Sequence, residues 1–170
     1  MRLILSALLA VAIAAPALAT PAPLASAALM KSDASPAGVV SIIRVKGGVA
    51  LQVALTGLPQ GVHAIHLHTR GVCELPGFTS AGGHLNPGGH QHGRDNPLGA
   101  HMGDLPNITV AADGTARAIV PLAYSEADLI AALFDKDGGA VVVHAAPDDY
   151  KTDPTGNAGG RIACGAFVRG

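Results

Sequence analysis

The chain has 170 residues, with 11 Lys plus Arg against 12 Asp plus Glu and a formal net charge of −1 with His neutral. This near balance, with no basic block, gives nucleic-acid binding no electrostatic footprint. With no Trp, two Tyr and three Phe, any core must be built mainly from Val, Ile, Leu and Ala.

The opening MRLILSALLAVAIAAPALA has one Arg, an apolar run and a small-x-small ending at Ala17-Leu18-Ala19. It reads as a secretory signal peptide, residues 1–19, cut after Ala19. The apolar run 3–15 is short against the roughly 20 residues of a membrane span, Pro16 interrupts it, and no Cys follows to carry a lipid. Stable membrane association is therefore not expected. Residues 20–170 are enough for one domain with its own core. Their two cysteines, Cys73 and Cys164, would meet an oxidising compartment, where one disulfide is expected. A pair of free thiols or thiolate ligands is the alternative.

The mature chain reads as strands. Residues 25–31 are a weakly marked first strand and residues 39–45 a β-branched second. In residues 49–56, Val49, Leu51, Val53 and Leu55 alternate with Ala50, Gln52, Ala54 and Thr56, as in a half-buried strand. A Gly/Pro turn over 57–61 delivers a fourth strand carrying His66 and His68, so the first four strands read as an antiparallel meander. Residues 69–103 show almost no regular pattern. Strands are expected again at 105–111 and 115–121. Residues 125–133 suggest one or two helical turns with Ser125 as N-cap. Residues 140–144, a polar loop over 145–160 and a closing strand over 161–169 complete the chain. Period-two patterning with turns every eight to twelve residues favours an all-β sandwich or barrel.

Seven of the eight histidines lie between Gly61 and Asp104: His63, His66, His68, His84, His90, His92 and His101. Neutral imidazole is the commonest metal ligand in proteins. In a strand, His66 and His68 share one face while Ile65 and Leu67 share the other. Such a pair is an imidazole pincer. His84, His92, His101 and Asp104 come from a Gly/Pro-rich loop, and a loop this long needs an organiser. Three imidazoles and a carboxylate suit tetrahedral zinc; a set made mainly of imidazoles also suits copper. His63 has the opposite parity and is expected to be a hydrogen-bonded structural residue. His90 is expected to be exposed rather than ligating. Asp149 is expected to be a surface acid, and Gly156, Gly159 and Gly160 to let backbone pass close to the site.

HLH, GGHLNPGGHQHG, HMGD, VVVHAAPDD and GNAGGRIACG together resemble the copper/zinc superoxide dismutase family over nearly all of the mature chain. The resemblance implies an all-β fold: an eight-stranded antiparallel Greek-key barrel with two long functional loops. It implies copper on His66, His68, His84 and His144, and zinc on His84, His92, His101 and Asp104, with one ion of each per subunit. His84 would bridge the two. Asp148 would link His66 to His92, Cys73 would pair with Cys164, Arg161 would attract and orient a small anion, and Thr155 would narrow its channel. The implied substrate is superoxide, which alternately reduces and reoxidises copper and leaves as dioxygen or hydrogen peroxide while zinc stays structural. Periplasmic export is implied, with secretion as the alternative, and a homodimer is allowed. The loop 145–156 is short and lacks the acidic-then-lysine cluster of eukaryotic members; Lys151 and Arg70 are the cations that could replace it. The rival readings are a periplasmic copper buffer, which would not need Arg161, and a zinc-only protein.

Overall fold

The alternation read in residues 49–56 becomes the central hairpins of the fold. A computed structural model describes residues 22–170; the expected leader, residues 1–19, lies outside the described residues. Strands β1 (Ala25–Lys31), β2 (Pro36–Val45) and β3 (Gly48–Leu55) form an antiparallel meander. β3 then pairs with β7 (Ala116–Leu122). In register, Ala25, Ile42, Leu51 and Val120 form one row across these four strands, and all four are buried. The polar Gln52 takes the other face and is exposed, so period two decides which side meets the core.

The histidine strand does not continue the meander, contrary to the sequence expectation. It is divided at Ala64 into β4 (Gly61–His63) and β5 (Ile65–His68). β4 pairs with β6 (Ile108–Val110), whereas β5 pairs with β8 (Ala140–His144). Ala64 is the switch point: its N–H donates to the Ala146 carbonyl and its own carbonyl accepts from the His144 N–H, both at 2.9 Å. β9 (Arg161–Ala166) joins β8 to β1, and β10 (Val168–Arg169) pairs the far end of β1. The larger sheet therefore runs β5-β8-β9-β1-β2-β3-β7, with β4-β6 as a second, two-stranded ladder. The architecture is antiparallel with Greek-key-like topology, in ten strand segments among the described residues. The expected fourth strand is split, and the strand expected over 105–111 shortens to three residues.

β8 is buried throughout, which explains its unbroken Val run. Val141 and Val143 face the main core; Ala140 and Val142 face a smaller cluster with Phe78, Ala81 and Cys164. That second cluster packs the loop after β5 onto the sheet. The expected helical turns form α1 (Glu126–Leu133), capped by Ser125, whose Oγ accepts the Asp128 N–H at 3.1 Å. Leu129 and Leu133 pin it to the core. No helix among the described residues is long and apolar enough to cross a membrane.

Candidate metal centre

β5 delivers His66 and His68 beside Val142 and Ala140 of β8. The long loop is then laid across β5. The Leu67 N–H donates to the Gly103 carbonyl at 3.0 Å, the Leu85 N–H to the Leu67 carbonyl at 2.8 Å, and the Gly103 N–H to the Leu85 carbonyl at 2.8 Å. A Cβ at Gly103 would run into Leu67 backbone, so only glycine allows this approach. The result places His84 against His68 and Asp104 against His66 in isolated bridges.

Two four-residue clusters result among the described residues, each with ligand atoms within 4.8 Å of one another: His66, His68, His84 and His144; and His84, His92, His101 and Asp104; a third group of three, His66, His92 and Asp148, links them. His84 is common to both. The histidines of both clusters are buried. Among the described residues, five buried ring nitrogens have no hydrogen-bond partner: His66 Nδ1, His68 Nε2, His84 Nε2, His92 Nδ1 and His144 Nε2. A buried polar atom left without a partner costs about 1–3 kcal/mol, so five in one place require an unusual explanation.

The opposite nitrogens supply it. His66 Nε2 donates to Asp148 Oδ2 at 2.7 Å and His92 Nε2 to Asp148 Oδ1 at 2.9 Å. His68 Nδ1 donates to the Gly82 carbonyl at 3.0 Å and His144 Nδ1 to the Gly159 carbonyl at 3.3 Å. In these four rings the nitrogen facing Asp148 or a backbone carbonyl carries the hydrogen, so the opposite, inward nitrogen presents a lone pair. This is how outer hydrogen bonds set a metal-binding tautomer. Burial, with neighbouring imidazoles adding to it, favours the neutral form of three rings: His68 is pushed down to about 2, His144 to about 3 and His84 to about 4.

In the second cluster, Asp104 Oδ1 lies 2.9 Å from His84 Nδ1, 3.0 Å from His92 Nδ1 and 3.1 Å from His101 Nδ1. His84 and His101 Nδ1 are 3.3 Å apart. Four donors so close have the compactness of a coordination shell: ligand bonds of roughly 2.0–2.2 Å at tetrahedral angles give donor edges of roughly 3.3–3.6 Å. Burial works against the Asp104 charge. Yet His84, with the backbone N–H groups of Gly93 and His101, holds this carboxyl well below the usual range. The donor set thus fits a divalent cation, and the all-imidazole set fits a second, softer one.

Beside the first cluster is a cavity of about 460 Å³ lined by His68, His84, His144, Thr155 and Arg161, among others. Arg161 donates to the Phe78 and Gly82 carbonyls, each at 2.6 Å. Burial lowers its pKa, but a guanidinium stays charged. Cys73 and Cys164 form a disulfide with Cα atoms 5.7 Å apart, so the thiol and thiolate alternatives fall away.

His63 is buried and its ring nitrogens face the His144 and Pro59 carbonyls at 2.8 and 2.9 Å, outside both clusters, as expected. His90 is exposed and in neither cluster. Gly156 does sit where a Cβ would run into Asp148 Oδ1. Gly160 does not meet its expectation, since a Cβ there would meet nothing within 4 Å. Asp149 is exposed but also caps its own loop through the Lys151 and Thr152 N–H groups. Sequence reasoning missed Asn107 and Tyr150, which brace Asp148. Their only cue was a Tyr directly after two acids in a Gly/Pro loop.

A profile of the copper/zinc superoxide dismutase family (SODC) matches residues 36–167. The chain is 43% identical over 146 residues to superoxide dismutase [Cu-Zn] 2 of Aquifex aeolicus, covering 84% of this chain and 85% of that protein. It is 45% identical over 147 residues to superoxide dismutase [Cu-Zn] of Caulobacter vibrioides, covering 84% of each. Among solved structures, a SOD-like protein from Bacillus subtilis superposes with a TM-score of 0.76 at 34% identity, covering 84% of this chain and 97% of that one. Shared sequence, fold and paired histidine clusters lead to one assignment: the chain belongs to the copper/zinc superoxide dismutase family.

Proposed function

We propose that the protein is a superoxide dismutase that holds one copper ion on His66, His68, His84 and His144 and one zinc ion on His84, His92, His101 and Asp104. The observation that carries this reading is His84, whose Nδ1 lies in one cluster and whose unpartnered Nε2 lies in the other. Copper held there would supply a one-electron couple between Cu(II) and Cu(I), the chemistry that both the oxidation and the reduction of superoxide need; zinc has no redox chemistry.

The chain's own residues supply the rest. Arg161, fixed on two carbonyls at the cavity wall, attracts and orients the superoxide anion. Thr155 lines the same cavity and limits what can enter. His84 keeps Nδ1 in the zinc set, so Nε2 is the atom that takes up a proton and hands it on. Asp148 ties His66 to His92 and so keeps the two sets in fixed relation. Residues 20–170 act as one domain, closed by β4 and β6 into a Greek-key barrel equivalent to eight strands. The leader, residues 1–19, directs it to the periplasm.

The test is stopped-flow decay of superoxide by the mature, oxidised chain loaded with one copper and one zinc. Fast catalytic decay is expected, and Arg161→Ala should lower the second-order rate constant by about tenfold or more. Correctly loaded protein with no decay above buffer would overturn the reading and leave a copper-binding protein on the same fold.

A further inference from the structure

Among the described residues, Asp148 is the one carboxylate that touches both clusters from outside, and its own orientation must be set by something. The surrounding bonds converge on a single residue. The Tyr150 N–H donates to Asp148 Oδ1 at 2.7 Å, the oxygen that also accepts from His92. The Tyr150 phenol oxygen accepts the Asn107 N–H at 2.7 Å. Asn107 then brackets the Asp148 backbone: Nδ2 donates to its carbonyl at 3.0 Å and Oδ1 accepts its N–H at 2.8 Å. Asp148, Tyr150 and Asn107 thus form a closed ring of hydrogen bonds.

Tyr150 also reaches the other loop. Its carbonyl accepts the Asp95 N–H at 3.0 Å, and the Arg94 guanidinium lies 3.8 Å from its ring centroid. Gly93, next to Arg94, donates its N–H to Asp104 Oδ2 at 2.9 Å. To make these contacts Tyr150 adopts φ +62°, a left-handed conformation that a bulky L-residue takes only when its surroundings compel it. Neither its ring nor its hydroxyl is among the groups of either cluster; the bond from its N–H to Asp148 Oδ1 is its most direct link to them.

We propose that Tyr150 is a positioning residue for the metal centre, holding the Asp148 carboxylate so that it orients His66 and His92 together. This rests on the reading of the two clusters as metal sites. Phe at this position would keep the ring under Arg94 but leave the Asn107 N–H without its acceptor, loosening the bracket on Asp148.

The test follows zinc transfer from mature, copper- and zinc-loaded protein to a chromophoric chelator at pH 7. Wild type, Tyr150→Phe, Asp148→Ala and the double variant are compared, with the Cu(II) visible band recorded for each. Outer hydrogen-bond partners typically govern metal affinity by about tenfold or more, so Tyr150→Phe should release zinc about tenfold faster and shift the band. In the Asp148→Ala background it should add nothing, because the group it acts through is gone. Asn107→Ala, which removes both brackets on the Asp148 backbone but leaves Tyr150, should behave alike and serves if Tyr150→Phe folds poorly. An acceleration below about threefold overturns the proposal, on the same scale. So does an equal acceleration with and without the Asp148 carboxylate, which marks a loosened loop. Wild-type protein that takes up no zinc would overturn the metal-site reading as well, and is told apart by metal analysis before the assay begins.

Discussion

At the scale of single residues, the centre depends on which nitrogen of each ring is left free, and for His66, His68, His92 and His144 that choice is made by oxygens outside the clusters. Asp148 makes it for two rings at once. Burial disfavours the Asp148 charge, but the hydrogen bonds from His66 and His92 outweigh that and hold the carboxyl below its usual range. The space beside this link is reserved by Gly156. A Cβ there would overlap Asp148 Oδ1 and His92 Nε2, and its φ of +63° disfavours any L side chain. Gly156→Ala should therefore cost more than about 2 kcal/mol and displace His92. Thermal unfolding and zinc content of the purified variant check this. Wild-type zinc content with an unchanged midpoint would mean that the loop yields without disturbing Asp148.

At the scale of elements, the loop after β5 is held by two devices of different kinds. Phe78 and Ala81 pack on Ala140, Val142 and Cys164, and the disulfide ties Cys73 to β9 across 91 residues of sequence. This loop also presents the Phe78 and Gly82 carbonyls that hold Arg161, and Gly82 fixes His68 as well. Stability and the placement of Arg161 therefore share one support. Replacing both Cys73 and Cys164 by Ser should lower stability by up to about 4–5 kcal/mol on a chain-entropy basis, read as the guanidinium midpoint of the metal-loaded protein. The same variant should show slower superoxide decay with a weaker ionic-strength dependence, because Arg161 loses a fixed anchor. A stability loss with unaltered kinetics would show that Phe78 packing alone keeps the carbonyls in place.

At the scale of the whole molecule, the parts written in local pattern were legible and those made by distant contacts were not. Alternation in residues 49–55 places β3 on the core, and the HLH spacing puts two imidazoles on one side of β5. The switch of partners at Ala64 left no local trace, because it depends on Ala146 and on where β8 lies. Tyr150 escaped for the same reason: its partners at 95 and 107 come from other loops. What the fold adds to the ligand list is burial, and burial has a pH signature. Burial pushes His68, His144 and His84 down to about 2, 3 and 4 in the folded protein, from about 6.5 when unfolded. Between those limits the unfolded chain binds more protons. Stability from these rings is therefore fully present above about pH 6.5 and is lost as pH falls toward the folded values. For metal-stripped protein, each ring still neutral in the folded chain should contribute a slope on the order of 1.4 kcal/mol per pH unit. The thermal midpoint should thus fall steeply between pH 6.5 and 4, and metal loading should raise it most at the neutral end, because protons compete for the same lone pairs. Calorimetry across this range, with and without metals, is decisive. A flat midpoint in the stripped protein would mean that the cluster opens to water when empty and that its burial is a property of the loaded state alone.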